Sequence, residues 1–134
     1  MSCAETLPDL AMFSQEEIDL AADLLDSVAA MSPDANGVSR PAWSSKETEV
    51  LDHLAARAEA EGLAVWSDPL DNRVFSLPED RHAPGYTLIG SHVDSVPVGG
   101  NFDGLAGVIA GLICLIHQRR KGDRFSGPVR VIAM

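Results

Sequence analysis

The chain has 134 residues, enough for one domain with a real core or for part of a larger one, and its 46% hydrophobic composition is that of a globular protein. A formal net charge of -10 at pH 7 argues against nucleic acid and anionic membrane surfaces as partners, because both are held by basic patches. The two cysteines, Cys3 and Cys114, have no spacing that suggests a disulfide framework or a zinc knuckle, which fits free thiols in a reducing compartment.

The opening MSCAETLPDLAMFSQEE lacks a basic start and an apolar run, so no secretory signal is expected. The longest apolar stretch, Gly104 to Ile116, is too short to span a bilayer. A soluble, cytoplasmic protein is the expectation. Residues 1–13 read as a tail. Ser14 and Glu17 form a capping-box pattern that opens an amphipathic helix ending near Met31, with Ile18, Ala21, Ala22, Leu25, Val28 and Ala29 on its apolar face. Ser32 to Gly37 is a breaker-rich loop, extended by Arg40-Pro41.

A second capping-box pattern, Ser44 to Glu47, opens another helix whose apolar face is Val50, Leu51, Leu54, Ala55 and Ala58, and Gly62 stops it. Leu63 to Trp66 and Arg73 to Leu77 read as a hairpin around Asp68-Pro69-Leu70-Asp71-Asn72. Pro78 to Gly85 is an exposed loop. Tyr86 to Ile89 reads as a buried strand, followed by a loop rich in Gly, Ser and Pro and then by an apolar helix with the basic end Arg119-Arg120-Lys121. Pro128 to Met134 is a strand. Strand, crossover helix and strand make a βαβ unit with parallel neighbours, so the end of the last strand should lie beside the tip of the Tyr86 strand. The fold class expected is α/β, a mixed and partly parallel sheet with helices packed on it.

The loop after Ile89 holds the chemistry. His92 leaves the strand tip, where ligands collect in open α/β sheets. Asp103 stands where the helix begins, as either a metal ligand or a plain N-cap. Asp94 either binds loop amides or orients His92 as a supporting carboxylate. Gly90 and Ser91 thin the backbone around His92, and Gly99 and Gly100 permit tight turning. The other histidines read otherwise: His53 on a polar helix face, His82 in an exposed loop, and His117 as a cation complementing a helix C-terminus. Gly107 and Gly111 are expected to allow close helix-to-sheet packing.

The run GSHVDSVPVGGNFDGLAGVIAGL resembles the first metal-binding motif of the hydantoinase/carbamoylase family of amidases, which includes N-carbamoyl-L-amino-acid hydrolases and allantoate amidohydrolases within the dinuclear-zinc aminoacylase and carboxypeptidase superfamily. Gly37 to Ser44 (GVSRPAWS) and the closing VIAM are similar to two further stretches of that family. The resemblance implies that His92 is a terminal ligand of one metal ion, Asp103 a carboxylate bridging two, and Asp94 the catalytic-site acid behind His92. It implies two divalent ions, zinc or manganese, and a cis peptide between Asp103 and Gly104. A Glu general base, further ligands and a dimerisation domain would lie beyond this stretch. Residues 14–134 are then the front portion of a metal-dependent catalytic domain, inactive alone, from an enzyme acting as a homodimer on small N-carbamoyl amino acids or ureido acids. A peptidase or aminoacylase of the same superfamily, or a non-catalytic chain binding a full-length relative, are the other readings.

Overall fold

The computed structural model describes residues 12–122 and 125–134, so Cys3, Asp123 and most of the tail lie outside the described residues. Helix α1 spans Gln15–Met31, a two-residue ribbon follows as β1 (Pro33–Asp34) and β2 (Gly37–Val38), and α2 spans Ser45–Ala60. Strands β3 (Ala64–Ser67) and β4 (Arg73–Ser76) come next, then β5 (Thr87–Ser91), helix α3 (Leu105–Lys121) and β6 (Val129–Ala133). A single four-stranded sheet has the order β3-β4-β6-β5, antiparallel except for the parallel β5–β6 pair. The α/β class, the hairpin and the βαβ unit are as expected. The ribbon was not foreseen, because two-residue strands carry no periodicity to read.

Helix α1 starts on a complete capping box: Ser14 Oγ accepts the Glu17 N–H at 3.3 Å and a Glu17 carboxylate oxygen accepts the Ser14 N–H at 2.8 Å. Its buried line agrees with the expected stripe in part. Val28 is buried and Ala21 and Leu25 pack against the core, but Leu24 and Glu17 are buried as well and Ile18 is 50% exposed. The helix is rotated because His117 of α3 draws Glu17 inward with a charged hydrogen bond, which outweighs the burial of one more apolar side chain. His117 therefore serves α1 and is not simply a cation at the helix end. His53 likewise makes a 2.9 Å hydrogen bond with Ser27 and is half-buried rather than solvated.

The three helices share one core with a single face of the sheet. Val65, Phe75, Val131 and Ile89 stand opposite one another across four strands. Helix α3 crosses this row at Gly111, where an added Cβ would lie 3.0 Å from both Val131 methyl groups and 3.4 Å from an Ile89 methyl. One turn earlier Gly107 approaches Ser91, with 3.1 Å for the equivalent contact. The paired glycines do let the helix sit low on β5 and β6.

Strand β5 is not buried as its apolar sequence suggested. It is an edge strand that pairs with β6 alone, and Leu88 is 54% and Ile89 37% exposed. On the sheet face away from the helices, Arg130 stacks 3.8 Å from the Tyr86 ring centroid and 5.2 Å from that of Trp66. Among the described residues no helix is long and apolar enough to cross a membrane.

Candidate metal centre

The parallel ladder continues past both strand ends: Met134 N–H donates to Ser91 O at 3.0 Å and Val93 N–H to Met134 O at 2.8 Å. Met134 consequently lies beside the strand tip that presents His92, as the βαβ geometry requires. The loop that follows is stitched to residues 38–40. Val38 and Gly99 exchange backbone hydrogen bonds at 3.0 and 2.8 Å, Ser95 N–H donates to Arg40 O at 2.8 Å, and Val98 N–H donates to Ser39 Oγ at 3.1 Å. Gly37 is required at this seam, since a Cβ there would meet Gly99 O at 2.6 Å.

Arg40 is the centre of that seam and was not singled out from the sequence. It is fully buried. Its Nε donates to Val93 O at 2.8 Å, its Nη1 to Ser32 Oγ at 3.0 Å and to Asn101 Oδ1 at 3.2 Å, and its backbone N–H to Ser95 Oγ at 2.9 Å. Asn101 Nδ2 in turn donates to Leu25 O in α1 at 2.9 Å. One guanidinium thereby holds both arms of the loop against the end of α1. Burial lowers the Arg40 pKa from its ordinary value, and the charge of Asp94 partly opposes this. The only sequence signal was an arginine among small residues in Gly37 to Ser44, which reads equally well as a surface charge.

His92 is held from one side. Its Nδ1 lies 3.0 Å from Asp94 Oδ1 and 3.1 Å from the Asp94 carbonyl oxygen. Both neighbours are acceptors, so Nδ1 carries the proton and the Nε2 lone pair remains for a ligand. That is the arrangement a metal-binding imidazole needs. Gly104 packs directly on the ring: at φ 70° its missing Cβ would meet the His92 carbonyl oxygen and lie 2.5 and 2.6 Å from ring atoms Cε1 and Nδ1. The chain next to Asp103 is thus brought against His92.

Two expectations for Asp103 are corrected. It does not cap α3: the N-cap is Gly104, without a side-chain hydrogen bond, and Asp103 contributes only its carbonyl, which accepts Leu105 N–H at 2.8 Å. The Asp103–Gly104 peptide is trans. The turn is instead a γ-turn centred on Gly104 at φ 70° and ψ -55°, closed by the bond from Leu105 N–H to Asp103 O, a conformation that suits glycine. The Asp103 side chain is exposed. Among the described residues, no group of three or more His, Cys, Asp or Glu is placed to hold a metal ion. His92 and Asp94 open onto a cleft of about 350 Å³ also lined by Trp43, Glu47, Leu70 and Met134.

The cap of α2 is likewise only half formed. Ser44 Oγ accepts the Glu47 N–H at 3.3 Å, but the Glu47 carboxylate turns to the Trp43 N–H at 2.6 Å instead of to Ser44. This places a bound carboxylate and an exposed indole at the rim of the cleft.

No protein-family profile matches the chain. A Mycolicibacterium smegmatis protein is 37% identical over 102 residues, covering 73% of this chain and 23% of its own length. The N-carbamoyl-L-amino acid amidohydrolase of Geobacillus stearothermophilus is 31% identical over 99 residues, covering 74% and 24% respectively. Among solved structures, a hydantoinase/carbamoylase family amidase from Burkholderia vietnamiensis is similar with a TM-score of 0.76 at 31% identity, covering 86% of this chain and 28% of that one. The chain spans about a quarter of the length of the relatives it matches. With 37% and 31% identity over about three quarters of its length to these relatives, and 31% identity over 86% of it to the solved amidase, the chain belongs to the hydantoinase/carbamoylase family of amidases, a hydrolytic family.

Proposed function

We propose that this chain is the front portion of the catalytic domain of a metal-dependent amidohydrolase that cleaves non-peptide C–N bonds of N-carbamoyl amino acids, allantoate or similar ureido acids. The observation that carries the reading is the His92–Asp94 pair, 3.0 Å apart at the mouth of a cleft, with the imidazole lone pair on Nε2 left for a metal. His92 and Asp103 would hold two divalent ions, zinc or manganese, with Asp103 shared between them. When bound, the ions supply Lewis acidity and lower the pKa of a water toward about 7.

The chain's own residues do the positioning. Asp94 keeps the proton on His92 Nδ1 and fixes the ring plane. Arg40 and Asn101 hold the loop on either side of it, and Gly104, the residue after Asp103, packs against the ring. The general base and the remaining ligands come from sequence that follows, entering the cleft where Met134 already lines it. The 134 residues alone are accordingly inactive, and the whole enzyme is a cytoplasmic homodimer. The substrate class rests on the names of the relatives and on the H-x-D-S-V-P and G-G-x-F-D-G motifs.

The test begins with the codons that follow Met134. An open frame continuing into a Glu-Glu pair is expected. The full-length product should release ammonia from N-carbamoyl amino acids, and His92→Ala should remove both turnover and one bound metal ion. A frame closing at Met134, or a His92→Ala enzyme that keeps its metal and its turnover, would sink the reading. Turnover by the 134-residue chain alone would refute its incompleteness.

A further inference from the structure

Trp43 combines two features that the fold does not explain. Its side chain is 87% exposed, the highest value among the large apolar residues described, so it contributes little to the core that these residues form. Its φ is 64°, a left-handed conformation that is an outlier for a bulky side chain. The conformation is held by the 2.6 Å hydrogen bond from Trp43 N–H to Glu47 and by the turn in which Ser44 N–H donates to Pro41 O at 3.2 Å. Backbone strain of this kind persists where the surrounding structure over-determines it, and it clusters at functional sites.

The position supplies the rest. Trp43 lines the same cleft as His92 and Asp94, and the apolar side chains Leu70 and Met134 line it too. The carboxylates of the lining are engaged: Glu47 binds the Trp43 N–H, Asp71 pairs with Arg73 at 2.6 Å and Asp94 faces His92 at 3.0 Å. The indole, Leu70 and Met134 form the part of the wall that suits an uncharged, apolar portion of a substrate. An indole offers a large flat apolar surface of low conformational entropy for such a group.

We infer that Trp43 is a specificity-determining residue whose indole receives the apolar or aromatic side chain of an N-carbamoyl amino acid beside the His92 loop. The inference deepens the amidohydrolase reading above and rests on it. Glu47 is its positioning residue, because that carboxylate holds the backbone which aims the indole.

Two measurements test it together. In the 134-residue chain, Trp43→Asn should leave the melting temperature unchanged or raise it, since Asn tolerates the left-handed conformation better; a lowered melting temperature would assign Trp43 to the fold and overturn the inference. In the full-length enzyme, kcat/KM for N-carbamoyl-phenylalanine relative to N-carbamoylglycine should fall about tenfold in Trp43→Asn and recover in Trp43→Phe. An unchanged ratio would overturn the inference. His92→Ala separates the two levels. If it abolishes turnover of both substrates while Trp43→Asn leaves the ratio alone, only the Trp43 assignment fails; if it leaves turnover intact, the metal-loop reading fails and this inference with it.

Discussion

Glu17 and His117, 100 positions apart in the chain, meet within the helical layer with His117 Nδ1 3.1 and 3.0 Å from the two carboxylate oxygens of Glu17. Glu17 is 1% exposed and Phe13 packs edge-on against the His117 ring, with centroids 5.0 Å apart. A capping residue has thus been turned into the polar tie between the first and last helices of the fold.

The tie makes stability depend on acid. Burial pushes the Glu17 carboxyl up, but the Ser14 N–H bond, the His117 hydrogen bond and the His117 charge outweigh it and hold the pKa below its ordinary 4.5. A carboxyl depressed in the native state stabilises the fold fully above its unfolded pKa, and that contribution is lost as the pH falls through the native one. Urea midpoints should therefore drop as the pH is lowered from about 4.5, and Glu17→Gln should flatten this dependence. Glu17→Ala should cost about 2 kcal/mol at pH 7, by leaving His117 without its charged partner. Equal acid sensitivity in wild type and Glu17→Gln would show that other carboxylates set it.

Gly104 is the point at which the metal loop and helix α3 press together. Alanine there meets the His92 carbonyl and ring and must also adopt φ 70°. Gly104→Ala should destabilise the chain by about 2 kcal/mol and displace the imidazole, which shows in the His92 ring resonances. Gly100 has open space where its Cβ would be and no positive φ, so Gly100→Ala is the control and should be nearly neutral. Equal behaviour of the two variants would contradict the packing described.

Arg40 predicts a larger loss. Arg40→Ala strands Val93 O and Ser32 Oγ in the interior and should cost about 3 kcal/mol, a large fraction of the stability of a small domain. Ser95→Ala removes one acceptor from the same seam and should cost about 1 kcal/mol. Denaturant midpoints of the two variants decide the matter: a ratio near one would mean that the seam is held by its backbone bonds instead.

Cys114 is half-buried in α3, and burial pushes its thiol pKa up from 9.0. In a Cys3→Ser background, its reaction with an aromatic disulfide reagent at pH 8 should be at least about tenfold slower in the native chain than in urea, because the thiolate is the nucleophile. Native and denatured rates that coincide would place the thiol in solvent.

Much of the scaffold was legible in the residue order because it depends on short-range chemistry. The Ser14–Glu17 box, the Gly62 stop, the β3–β4 hairpin and the Gly107–Gly111 contact face each follow from spacing within a few residues. The candidate site was legible only as a loop carrying His92, Asp94 and Asp103. Its seam was not, because Arg40 reaches Val93 and Asn101 across 53 and 61 positions, and no local pattern announces such a bond. The exposure of β5 was missed for a related reason: apolar content shows what a strand would bury, but the order of strands in the sheet decides what covers it.

The sequence by itself determined the element types, the parallel crossover and the motif that marks the family, since hydrophobic period, glycine conformation and capping are written locally. Only the tertiary structure decided that His92 is bound by Asp94 on one nitrogen and left with a lone pair on the other, that Gly104 rather than Asp103 heads α3, and that Glu17 faces inward. Each of these is a choice among partners that one residue could make equally well on paper, and it is settled by which groups burial leaves within hydrogen-bonding distance.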